Sequence, residues 1–342
     1  MAARKLLSLA TCNLYNINEP GLAMYRDRSG WSQEEYDKKV DWLARIVQVV
    51  DADVWGFQEL WHRKSIVNVF KKAKLNSDYE ILAPSSHKGK KIICAAAVRK
   101  DLLVGDPEWI EAFPDQFVLK SGGDDPQTAQ ITVNLEKFSR PVLHFTIQPR
   151  ADSKAIQVYV AHLKSKMPTV IDGEDWFKND KDFYKKHRTG LGGCLSTIRR
   201  TVEAAALRMM MTETMKGNDE PVVVLGDLND GKKSNTLNIL SDQPNYLMGL
   251  SKGGSDVGLY SAGTLQEYRS ERDVYYTHIH NNSRESLDHI LVSQEFYDNS
   301  KKRIWAFEGA EIINDHLNRE DHKETGTTDH GIVKATFKYA PA

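Results

Sequence analysis

The chain has 342 residues, 40% of them hydrophobic and 27% charged, with a formal net charge of −1. That is enough apolar material for a sizeable core, and it excludes a global field that draws nucleic acid or an anionic membrane; a polyanion must be met by a local patch or a bound cation. Cys12, Cys94 and Cys194 are too few and too widely spaced for a disulfide scaffold or zinc ribbon, and no apolar run approaches the ~18 residues of a membrane span. A reducing, cytoplasmic setting is expected, or secretion if a leader has been removed. No repeat, low-complexity tract or Pro/Ser-rich linker breaks the chain, so one domain over residues 1–342 is expected.

The first apolar stretch, Leu6–Cys12, follows Arg4 and Lys5 and faintly resembles a signal peptide. It is at the low limit for such a core and no A-x-A-like site follows, so it reads as a first buried strand. Residues 32–51 form the clearest helix: Tyr36, Val40, Leu43, Val47 and Val50 recur three or four apart, and Ser32 with Glu35 makes a capping box. A second helix is predicted over 63–74, with Ile66, Val69, Phe70 and Ala73 inward. A third is predicted over 195–216, with Ile198, Val202, Ala205 and Met209 on one side. Further short strands are predicted at 54–57, 79–82, 92–99, 130–135, 142–147, 155–161, 222–225, 275–280, 288–292 and 331–338. Several lack polar alternation, as in sheets covered on both faces. A sheet-on-sheet core with helices outside follows.

Polar residues gather where these strands end. Asn13 follows "LLSLATC", Glu59 follows "DVWGFQ", His162 follows "IQVYVA", and Asp227 and Asn229 follow "VVVLG". Asp288 precedes "ILV", and Asp329 with His330 precedes "GIVKATF". Any one of these could be a turn residue. Together they make a set rich in carboxylate, amide and imidazole, mounted on rigid strands. Their oxygens are hard ligands, suited to Mg²⁺, with Mn²⁺ or Ca²⁺ possible, rather than Zn²⁺. Asp227 and Asn229, two apart, point to one face if extended, and Asp230 to the other. Asp329 and His330 need irregular backbone to share a site, which "GTTDHG" offers. A histidine among carboxylates can serve as base or acid near neutral pH.

The motifs "ATCN", "FQEL", "AHLKS", "LGDLND", "SLDHILVS" and "TTDHG", in this order, resemble the endonuclease/exonuclease/phosphatase superfamily, the DNase I-like fold. The resemblance spans residues 7 to about 338. It implies an α/β fold, a four-layer sandwich of two packed mixed β-sheets flanked by helices, and phosphate-ester hydrolysis with a divalent cation, usually Mg²⁺. It implies Glu59 as principal metal ligand, supported by Asn13, with Asp329 in the metal shell. It implies that Asp227 positions or activates the attacking water and that Asn229 holds the scissile phosphate or a second cation. His330, oriented by Asp288, would bind phosphate, and His162 would be a second, acid-type histidine. "AHLKS" looks like the DNase I and sphingomyelinase branches, while "HLKSK", "STIRRTVEAAALR" and "YYTHIHNNSRESLDHILVS" look most like the bacterial nuclease members. Leu228 stands where the family usually has phenylalanine, and Asp230 adds an acid; neither removes a ligand.

The substrate is less legible. Residues 185–200 carry Lys185, Lys186, Arg188, Arg199 and Arg200 and no acid. They are a solvated loop and helix face, or with Lys164 a phosphate contact near His162. Tyr260, Tyr268, Tyr275, Tyr276, Trp176 and Phe177 could stack on bases or simply cover the sandwich rim. The leading expectation is a metal-dependent phosphodiesterase on DNA or RNA, monomeric, with no protein partner and no stable membrane association. A phospholipid or small-molecule phosphodiesterase of sphingomyelinase-like type is the alternative, and a catalytically inactive interaction module a further one.

Overall fold

The computed structural model describes residues 3–25, 29–123, 127–242, 244, 257–270 and 276–342. In chain order it contains β1 (Leu6–Ile17), α1 (Gln33–Val50), β2 (Val54–His62), α2 (Arg63–Lys72), β3 (Tyr79–Leu82), β4 (Lys88–Arg99) and β5 (Leu103–Ala112). A small ribbon, β6 (Leu119–Ser121) and β7 (Ile131–Val133), precedes β8 (Lys137–Ile147) and β9 (Ile156–His162). Then come α3 (Asp175–Asn179), α4 (Lys181–Tyr184), α5 (Arg188–Met215), β10 (Val222–Asp227), α6 (Asn235–Ser241), β11 (Tyr260–Ser261) and α7 (Ala262–Arg269). The chain closes with β12 (His278–His280), β13 (Ser283–Glu285), β14 (Asp288–Val292), β15 (Trp305–Ile313), α8 (His322–Thr325) and β16 (Ile332–Tyr339).

Two six-stranded sheets result, ordered β15-β16-β1-β2-β4-β3 and β11-β14-β10-β9-β8-β5. Each mixes parallel and antiparallel pairs. One apolar cluster lies between them, including Leu7, Leu9, Val54, Val158, Val160, Val223, Leu225, Ile290 and Phe337. A second cluster packs the outer face of the first sheet on α1 and α2, and a third packs the outer face of the second sheet on α5 and α6. Strands buried on both faces explain the runs without polar alternation. The four-layer α/β sandwich expected from the sequence is the observed architecture.

The expected helix α1 is present with its cap: Ser32 accepts from the Glu35 N–H, and Glu35 accepts from the Ser32 N–H at 2.8 Å. Helix α5 differs from expectation. It begins at Arg188, not near 195, and buries Val202, Ala206, Leu207 and Met211, whereas Ile198 is 41% exposed and Ala205 and Met209 are half-buried. Gly192 lets these first turns pack against the preceding loop, because a Cβ there would lie 2.5 Å from the Thr169 carbonyl oxygen. β5 and β15 had no counterpart in the sequence reading. Both are edge strands with register shifts, and β5 contains Gly105 and Pro107. Edges tolerate such residues, and they blur the strand signature.

Gly226 lies within β10, and a Cβ there would meet the Ala161 carbonyl oxygen at 1.9 Å. Its missing side chain admits the neighbouring strand. Among the aromatics, Tyr260 is fully buried and stacks on Tyr297, and Phe177 is 2% exposed, so neither is available to a base. Trp176 and Tyr268 are exposed, while Tyr275 lies outside the described residues.

Candidate active site

Strand alternation carries the inter-sheet face directly into the site. Val158 and Val160 on β9, Val223 and Leu225 on β10, and Ile290 and Val292 on β14 point into the core between the sheets. His162, Asp227 and Asp288 continue the same parity. Register aligns them in one row: Asp227 pairs with His162 on one side and with Asp288 on the other. From the first sheet, Asn13 continues the face of Leu7 and Leu9. All four are at most 4% exposed. The site is thus the polar end of the inter-sheet core.

Glu59 breaks the rule. By alternation with its neighbours it would face away from the crevice. A left-handed φ of +61° and a register shift between Phe57 and Leu60 redirect it. Its Oε2 accepts from the Asn16 N–H at 3.0 Å. Strain of this kind, repeated at Tyr15 and Asn16 with φ of +51° and +53°, concentrates where a side chain must be re-aimed.

Asp227 is the hub. Its Oδ2 accepts from Asn13 Nδ2 at 3.1 Å and lies 3.5 Å from His162 Nε2 and 3.9 Å from His330 Nε2. Its Oδ1 accepts from the Asn229 N–H at 2.9 Å. Asn229 therefore reaches the site by a turn, not by the extended i, i+2 spacing expected from sequence. Its φ is +55°, and its amide donates to the Leu163 carbonyl at 3.0 Å. Asp230 turns away, as expected, and pairs with Arg200 at 3.2 Å. His330 Nδ1 is 2.8 Å from Asp288 Oδ2. Asp329 joins through irregular backbone ahead of β16: ligand atoms of His278, Asp329 and His330 lie within 4.8 Å of one another, as do those of Asp227, Asp288 and His330.

The electrostatics divide these groups. Burial, helped by Asp288 and Glu59, pushes the Asp227 carboxyl up to about 7 despite His330 nearby. Burial and Asp329 likewise raise Glu59. Burial would depress His330, but the carboxylates of Asp288 and Asp227 outweigh it and hold the ring well above the usual histidine range. Burial and Arg140 push His162 well below that range, so it is neutral. The site thus holds one imidazolium among four carboxyl groups.

That excess of carboxylate suits a cation. Asp288 Oδ1 and Asp329 Oδ1 are buried without a hydrogen-bond partner among the described residues. The clusters Asp227–Asp288–His330 and His278–Asp329–His330 offer carboxylate oxygens with imidazole beside them, a donor set that fits a divalent cation.

The basic residues separate. Arg200 is 4% exposed, and its guanidinium is held by Asp230 and by the Lys164 carbonyl at 3.3 Å, so it braces the fold. Lys164 Nζ donates to Ser165 and Met167, and burial lowers its pKa. Arg199 is half-buried on the same helix.

Supporting residues appear that the sequence did not single out. Arg140 on β8 donates to the Leu163 carbonyl at 3.0 Å and acts electrostatically on His162 and Glu59. The Thr277 hydroxyl oxygen accepts from the Leu287 and Asp288 N–H groups at 2.9 and 3.1 Å. Lys39, fully buried on α1, donates to the Thr327 carbonyl at 2.7 Å and lies 5.4–5.8 Å from the Tyr15, Trp31 and Trp42 rings. His316 Nε2 is 2.8 Å from the His330 carbonyl. A lysine within the α1 apolar pattern was the one visible signal among these.

Fold and site together define an enzyme-like α/β sandwich with a carboxylate–imidazole centre. The model of the Endonuclease/Exonuclease/phosphatase family matches residues 177–330. The catalytic domain of human Nocturnin with bound sulfate has a similar structure, at 13% identity and a TM-score of 0.56, covering 99% of this chain and 97% of that one. Truncated Caenorhabditis elegans TDP2 is similar at 13% identity and 0.53, covering 98% of each chain. A functionally unknown conserved protein from Enterococcus faecalis is similar at 11% and 0.54, covering 98% and 100%. A search of curated protein sequences gave no match. The chain is thus similar to the endonuclease/exonuclease/phosphatase family over residues 177–330, and over almost its whole length it shares the fold of these structures.

Proposed function

We propose that this chain is a single-domain, monomeric phosphodiesterase that uses a divalent cation, Mg²⁺ by preference, to hydrolyse nucleic acid by in-line attack of water. The observation that carries the reading is the buried row of His162, Asp227 and Asp288, closed by His330 at 2.8 Å from Asp288. Its three free thiols suit a reducing compartment, and cytoplasmic residence is part of the reading. No helix among the described residues is long and apolar enough to cross a membrane.

Asp227, with a pKa about 7, is tuned to accept a proton from water at neutral pH. Asn13 and the Asn229 N–H fix its orientation, so the water it holds is aligned before reaction. His330, kept as imidazolium by Asp288, meets negative charge developing on phosphoryl oxygens. Neutral His162 contributes a ring N–H rather than a charge. Glu59, Asn13 and Asp329 would hold the cation, which when bound supplies positive charge to substrate oxygens and eases ionisation of the attacking water. The Asn229 amide, held at the strand end, would bound the phosphate on the other side.

One observation favours a second reading, a phospholipid phosphodiesterase on the same site. The insertion after β9 exposes Met167 and Val170 by 71% and 78%, and Trp176, Phe183 and Leu195 by 41–50%. Plasmid DNA, sphingomyelin and bis-p-nitrophenyl phosphate, assayed side by side with Mg²⁺, separate the readings. EDTA should abolish turnover and Mg²⁺ or Mn²⁺ restore it; full activity in excess chelator would remove the cation from the reading.

A further inference from the structure

A groove of about 610 Å³ opens between β2, β4 and β8, and Arg140 stands in its wall. Its lining combines two chemistries. The first is aromatic. Tyr25, 52% exposed, meets Trp61 edge-on, with ring centroids 5.1 Å apart and planes at 89°. Tyr25 Oη and Trp61 Nε1 both donate to Asn16 Oδ1, at 3.2 and 3.0 Å. The Asn16 backbone N–H in turn donates to Glu59 Oε2 at 3.0 Å. The aromatic wall is therefore tied through one residue to a carboxylate of the catalytic centre.

The second is charge. Lys90, Lys91 and Arg140 line the groove, and no carboxylate does among the described residues. Lys91 has a partner in Glu111 at 3.4 Å, but both are about two-thirds exposed, where such a pair is worth little. Arg140 connects the groove to His162 and Glu59, on which it acts electrostatically.

We propose that this groove binds the unpaired strand of a nucleic acid next to the scissile phosphate, one base stacking on Tyr25 and flanking phosphates meeting Lys90, Lys91 and Arg140. The proposal rests on the phosphodiesterase reading above and names its substrate class. Tyr25 is half exposed and braced edge-on by Trp61, with cations lining the same groove, the combination of aromatic and charge that sequence-tolerant single-strand sites use. Bases inside a duplex stack on each other and present only their edges, so a duplex has nothing to give Tyr25.

The test is a kinetic comparison with Mg²⁺ of a fluorogenic single-stranded 12-mer, the same sequence as a duplex, and bis-p-nitrophenyl phosphate. Wild-type protein should prefer the single strand. Tyr25→Ala should lower kcat/KM on it by roughly 5- to 150-fold, the stacking of one base, Tyr25→Phe should retain most of it, and both should cleave bis-p-nitrophenyl phosphate within twofold of wild type. Lys90→Gln should lower the log–log salt slope of single-strand KM by about 0.7. Equal losses on the small diester, no loss for Tyr25→Ala, or a duplex preference would overturn the groove assignment while leaving the phosphodiesterase reading intact. Failure of the wild-type protein to cleave any of the three substrates would overturn both.

Discussion

Asp227 is the residue at which stability and the proposed activity pull in opposite directions. It is 1% exposed, and burial raises its pKa from an ordinary 3.8 to about 7. Between those values the folded chain keeps a proton that the unfolded chain has released. Stability of the metal-free protein therefore falls as pH climbs from about 4 to about 7, and the loss is complete above that. About three pH units at 1.4 kcal/mol each amount to about 4 kcal/mol. Asp227→Asn removes the ionisable group and the loss with it. Asparagine does not fit perfectly. Its oxygen can still accept from the Asn229 N–H, but its Nδ2 then faces Asn13 Nδ2, donor against donor, at a cost of about 1–2 kcal/mol. The variant should be slightly less stable than wild type near pH 4 and more stable by about 2 kcal/mol at pH 8, while turnover falls by orders of magnitude. Urea unfolding in EDTA at the two pH values measures this. A variant destabilised by the same amount at both would refute the idea that a buried, costly carboxylate is maintained there.

Four other perturbations follow from the same geometry. Asp288→Asn keeps the shape of the His330 contact but removes the charge that raises its pKa, so turnover should fall on the order of 10² to 10³-fold. The alkaline limb of the pH–rate profile should move to lower pH, because the imidazolium is then lost earlier. Burial lowers Lys39 from 10.5 to about 7, so the unfolded chain binds the extra proton between those values and stability rises with pH across them. Lys39→Met should abolish that rise in a thermal-unfolding series and, by releasing the Thr327 carbonyl, lower kcat. Arg200→Ala strips Asp230 of its buried partner and should cost about 2–4 kcal/mol in urea unfolding. Arg199→Ala should leave the unfolding midpoint unchanged and raise KM for an oligonucleotide.

Local pattern was sufficient for much of this protein. The heptad-like burial of Tyr36, Val40, Leu43, Val47 and Val50, the Ser32–Glu35 box and the apolar run Val222–Leu225 are short-range signals, and each appears in the structure as expected. The position of polar residues at strand ends was equally visible, because strand periodicity places them before any neighbour is known. What distant packing decides was not. Glu59 faces the crevice only because β2 shifts register, and Asn229 approaches Asp227 through a left-handed turn. Arg200 looked like a substrate contact until Asp230, thirty residues on, took its charge. The helix face of α5 depends on which side the second sheet covers.

Periodicity and local hydrogen bonding were enough to place the central strands, α1 and α2, and the residue types that end the strands, but not the edge strands β5 and β15 or the start of α5. The single row of His162, Asp227 and Asp288, the charge on His330 beside a neutral His162, and the support from Arg140, Thr277 and Lys39 come instead from packing between distant segments. Register and burial set those properties, and both arise between residues far apart in the chain: Asn13 and Asp227, which share a hydrogen bond, are separated by 214 positions.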